Sequence, residues 1–181
     1  FKIKLFAFLN IFGLAVGMAT CLLLAQYVYF EYSYDCFHEN AESIYRIPIS
    51  ISGKKELSGT FATNHPPVGP TMKMDFPEVK DFCRLVHPTL FFGHIAVKYI
   101  NESGSINSFR EENIFFADSS IFEMFTFPLV NGNASTALSA PNSIALSETA
   151  AKKYFGNEYP IGKTLYFLGV KPLQVSAIFA D

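Results

Sequence analysis

The chain has 181 residues, 14 basic and 16 acidic, for a net charge of −2, with 50% hydrophobic and 17% charged content. That balance excludes a disordered chain. No basic cluster is longer than the pairs Lys54-Lys55 and Lys152-Lys153, so nucleic acid is excluded as a partner on phosphate-neutralisation grounds.

The first element is an uncharged stretch from Leu5 to Phe30, preceded by Lys2 and Lys4 and followed by Glu31 and Asp35. Its 26 residues would reach roughly 39 Å as a helix, against a hydrocarbon core of roughly 30 Å, and it reads as a transmembrane helix. The flanking lysines favour a cytoplasmic start, and Tyr27, Tyr29, Tyr32 and Tyr34 mark the outer interface. A cleaved signal peptide is the poorer reading, because the apolar run is about twice the usual length and lacks a clear small-residue cleavage site. Gly13 and Gly17 form a small-x-x-x-small pattern that permits close approach of another membrane helix; they are the candidate packing residues. The expected organisation is therefore a transmembrane helix over 1–30 and an outer domain over 31–181.

The outer 151 residues suffice for one ordinary domain or for part of a larger one. Setting Lys2 and Lys4 aside leaves 12 basic against 16 acidic residues, a net charge of about −4. With Cys21 in the membrane, a disulfide is open only to Cys36 and Cys83.

Asp35 to Ala41 predicts a turn or helical cap, and Ile44 to Ile51 a strand that returns through Ser52-Gly53-Lys54-Lys55 into Glu56 to Thr63. His65-Pro66-Pro67 breaks the chain before a short helix over Val68 to Phe76, stopped by Pro77. Val79 to Val86 predicts a strand, followed by a loose Phe-rich link. Ile95 to Ile100 and Ile106 to Arg110 form a hairpin about Asn101–Ser105, and Asn113 to Ala117 continues in strand-like residues. Asp118-Ser119-Ser120 offers an N-cap to a helix over Ile121 to Phe125, with Phe122 and Phe125 inward.

Ser143 to Leu146 predicts a strand and Ser147 an N-cap, with a helix over Glu148 to Phe155 closed by a left-handed Gly156. Thr164 to Leu168, Gly169, and Leu173 to Phe179 give a final strand-turn-strand. The fold class is α+β: hairpins and short helices, with no βαβ rhythm.

No catalytic, cofactor or metal site is legible. Gly156 to Thr164 imitates a phosphate-binding loop, but five residues separate Gly156 from Gly162 where four are needed, and helix and strand flank it in the wrong order. His38, His65, His87 and His94 lack the spacing of a helical metal site, and no Gly-x-Ser-x-Gly elbow occurs.

Taken together, Phe8–Gly17, Glu31–Asn40 and Ile44-Tyr45-Arg46 resemble the MacB-like (FtsX-like) ABC transporter permeases, especially those of Bacteroidetes. Phe76–Val79, Phe116–Ser119, Phe125–Leu129, Asn142-Ser143, Ala150–Gly156 and Pro160–Lys163 continue the resemblance in order along nearly the whole chain. It implies a first transmembrane helix followed by the first part of a periplasmic core domain, in a bacterial inner-membrane permease. The permease would be a homodimer or paired permease in membrane lipid, working with a separate or fused ABC ATP-binding subunit by mechanotransmission to export or extract a substrate. The chain itself would not be an enzyme and would carry no cofactor. The resemblance also implies that this is an N-terminal fragment, lacking the rest of the periplasmic domain and three further helices. The alternative is a single-pass membrane-anchored extracytoplasmic binding or sensor module, separated from the first reading by whether further apolar spans follow.

Overall fold

A computed structural model describes residues 2–33, 37–53 and 59–181. The chain separates into two units, Phe1–Ala41 and Glu42–Asp181.

The first unit is dominated by helix α1, Lys2–Ser33, with Lys4–Ser33 long and apolar enough to cross a membrane. Large apolar side chains are exposed along its whole length, from Leu5 to Phe30, with no polar stripe to face water. That pattern suits a lipid solvent, in which every backbone group is satisfied inside the helix. The predicted turn after the helix falls partly on residues 34–36, outside the described residues, as does Cys36 of the open Cys36–Cys83 pairing.

A 3-10 turn, Ala41–Ser43, straddles the boundary, and the second unit continues with strands β1, Ile49–Ile51, and β2, Gly59–Phe61, paired antiparallel with Ser50 opposite Thr60. The strand expected from Ile44 is thus confined to its last three residues: Pro48 has no amide to donate to a ladder, and Tyr45 is exposed. The turn residues 54–58 lie outside the described residues.

Helix α2, Val68–Asp75, ends at Phe76 just before Pro77, as the sequence requires. Strand β3 covers only Leu85–Val86 of the expected 79–86. The Phe82 amide donates to the Asp81 carboxylate at 2.8 Å and the Arg84 amide to the distant Asp118 at 2.9 Å, so side chains take the place of a neighbouring strand. The Phe-rich link is not wholly loose, since Thr89–Phe92 forms one helical turn, α3.

Strands β4, Ile95–Ile100, and β5, Ile106–Glu111, make the predicted hairpin, held in register from Ile95 opposite Glu111 to Ile100 opposite Ile106. Asn101 closes its turn, accepting from the Ser105 amide at 2.7 Å. Strand β6 is limited to Phe116–Ala117 and pairs with β3. Helix α4, Ile121–Met124, is entered through Ser120, but Ser120 makes no side-chain cap. Its hydroxyl donates to the Phe82 carbonyl at 2.6 Å, while Asp118 is taken by Arg84, so tertiary partners win over the cap. Phe122 packs against Phe127 and Phe179, with ring centres 6.3 and 6.1 Å away.

Strand β7, Leu129–Asn131, is an addition to the sequence reading; strand β8, Ser143–Ser147, leads directly into helix α5, Glu148–Phe155. Ser147 caps α5 as expected, accepting from the Ala150 amide at 3.2 Å. Gly156 closes it at φ 61° and ψ −115°, a positive φ but outside the left-handed helical well. Strands β9, Thr164–Phe167, and β10, Lys171–Phe179, form the last hairpin.

The main sheet runs β5-β4-β9-β10, with β7 beside β10 on the β9 side and β8 along its other edge. Only the β8–β10 pairing within it is parallel. Alternate residues Ile95, Val97 and Tyr99 of β4 and Leu165 and Phe167 of β9 point to one face, where they meet Tyr154 and Phe155 of α5 in the core. The domain is mixed α+β, as the sequence predicts.

Candidate functional site

Gly13 and Gly17 lie one turn apart on α1, and a Cβ at either would meet nothing within 4 Å. Their four-residue spacing puts both on one face of the helix.

In the second unit two groups of polar side chains are engaged with one another. Arg84 grips Asp118 with both arms of its guanidinium, Nε to Oδ2 at 2.8 Å and Nη2 to Oδ1 at 2.7 Å, while Nη1 donates to the Pro66 carbonyl at 3.1 Å. The contact ties β3, the residue after β6 and the turn before α2 into one knot. The Arg84 guanidinium holds the Asp118 carboxyl below the usual carboxylate range, over the opposing effect of its partial burial.

A second knot joins β5 to α5. Glu111 accepts from the Tyr154 hydroxyl and from Lys153 Nζ at 2.8 Å, and that ammonium lies 4.7 Å from the centre of the Phe109 ring. Burial, reinforced by the Glu111 carboxylate, pushes the Tyr154 phenol well above its ordinary value, so it stays a neutral donor.

His87, His94, Arg110 and Glu112 line an open cleft of about 400 Å³ at the end of β4 and β5. His87 Nε2 donates to the Glu112 carbonyl at 2.7 Å, which fixes the ring as a brace between the two segments. Among the described residues, no three His, Cys, Asp or Glu side chains gather as metal ligands.

Lys163, which in a phosphate-binding loop would face phosphate, instead pairs with Glu158, donates to the Tyr99 hydroxyl at 3.2 Å and lies over the Tyr99 and Phe155 rings. Gly162 is occupied too, its amide donating to the Val175 carbonyl at 2.8 Å. The segment is a helix exit and a strand entry.

One surface feature has no counterpart in the sequence reading. Leu90 and Phe91 are each 70% exposed on the single turn α3, beside the half-exposed Phe92, which meets Phe116 and Phe167 edge-on at 6.5 and 5.9 Å. The paired Phe91-Phe92 and Phe115-Phe116 are the signal from which it could have been found.

Compared with known families, residues 7–181 match the MacB-like periplasmic core domain. The chain belongs to that family. The match begins inside α1 and continues to the last residue, so this MacB-like chain carries its apolar helix and its outer domain within one family unit. This is the periplasmic domain family of MacB-type ABC transporter permeases, a transporter component. No curated protein matches the chain.

Among solved structures, the MacB-like chain is similar to a domain of a permease protein from Porphyromonas gingivalis, at 20% identity over 63% of this chain and 49% of that one, with a TM-score of 0.42. It is also similar to the periplasmic region of MacB from Actinobacillus actinomycetemcomitans, at 22% identity over 48% and 43%, TM-score 0.36. A third is the extracellular domain of YknZ, an ABC-type transporter of Gram-positive bacteria, at 19% identity over 49% and 45%, TM-score 0.37. The chain spans less than half the length of each.

Proposed function

We propose that the chain is part of a permease subunit that couples ATP hydrolysis by a partner ABC ATP-binding subunit to export or extraction of a substrate on the far side of the inner membrane. The observation that carries this reading is the family match running unbroken from residue 7 to residue 181, through an apolar helix and into the outer domain. An apolar helix and a folded domain carried in one chain support a mechanotransmission reading.

In this reading residues 1–30 span the bilayer with the N-terminus cytoplasmic and residues 31–181 are periplasmic. The lysines before the span and the tyrosines at its end support that orientation. Gly13 and Gly17 seat a neighbouring membrane helix of a homodimer or paired permease, and the catalytic ATP chemistry resides on the partner.

The test is to express the complete reading frame with its neighbouring ATP-binding protein and purify the tagged permease in detergent. Co-purification of the ATPase, with turnover altered by the permease, is the expected result. A frame without further apolar spans, or a permease that leaves the ATPase unbound and unaffected, overturns the reading.

A further inference from the structure

We draw no further inference here: the strongest candidate, the exposed aromatic patch formed by Leu90, Phe91 and Phe92 of α3 with Phe115 and Phe116 at β6, is an unpartnered apolar face and nothing in the structure shows what covers it.

Discussion

Asp118 shows how one carboxylate decides several local outcomes. It lies where the sequence offers a helix cap, yet its oxygens accept from the Arg84 amide and guanidinium. Its folded pKa is depressed, so its contribution to stability is complete above the unfolded value near 3.9 and is lost as pH falls through the folded value. Asp118→Asn in the detergent-solubilised chain is therefore expected to lower the melting temperature at pH 7 and to flatten its decline below about pH 4. Melting curves across pH check this; an unchanged acid slope would remove the fork from the account.

Glycine matters for two distinct reasons at Gly132 and Gly156. At Gly132 φ is 102° and an added Cβ would sit 2.8 Å from Ala177 Cβ and 2.9 Å from the Ser176 carbonyl, where β7 crosses the bulged β10. At Gly156 φ is 61° but the space is open. Gly156→Ala is expected to cost about 1–2 kcal/mol for backbone conformation alone. Gly132→Ala adds a backbone clash and is expected to exceed it by a further 1–3 kcal/mol or so. Denaturant titration of the two variants compares them, and equal losses would mean that the close approach at β7 carries no energy.

Among the elements, α5 is the most completely written in its own residues. Ser147 caps it, Glu148 opens its first turn, and Lys152 and Lys153 close its last, each favourable to the helix dipole. Asp181 adds a tertiary cap, accepting from the Thr149 amide at 3.1 Å and from its hydroxyl. Ser147→Ala is expected to cost about 1 kcal/mol, because Ala150 loses the acceptor for its amide. Helix α2 has no side-chain cap at Pro67, so Pro67→Ala should lose no cap energy; a large loss there would show that a different interaction fixes its start. The core beneath α5 is more demanding. Leu165 is fully buried on β9, and Leu165→Ala is expected to cost about 2–5 kcal/mol in the same titration.

The elements that the sequence shows clearly are those whose signals lie within a dozen residues. The β4–β5 hairpin is announced by Asn101 to Ser105, α5 by Ser147 and Gly156, and the β9–β10 hairpin by Gly169. Leu168 also has positive φ, 49°, in that last turn; its amide donates to the Ala96 carbonyl and its side chain packs on the core. Leucine is no turn signal, so tertiary packing selects its conformation. Strands β1 and β3 are shorter than their apolar pattern predicts, since that pattern does not reveal that proline or a carboxylate interrupts the ladder.

At the scale of the whole molecule, the sequence pairs an apolar helix with a sheet domain, and the family match covers both. If Gly13 and Gly17 seat a neighbouring helix, Gly13→Leu with Gly17→Leu should reduce membrane assembly several-fold in the complete permease. The melting of the outer domain should be unaffected, because neither position has a neighbour within 4 Å. Cross-linking in native membranes reads the first effect and thermal unfolding the second; assembly at the parental level would dismiss the glycine packing.

The long helix, α5 and the local hairpins are legible in the residues alone, because uninterrupted hydropathy, caps and turns act between residues close in the chain. The order of family motifs along the chain likewise carries the family resemblance. That β8 lies parallel to β10, that β9 joins β4, and that Arg84 meets Asp118 across 34 residues emerges from the assembled fold. Those choices depend on which strand edges and charges remain unpaired once the local pieces meet, and no single stretch of sequence carries that information.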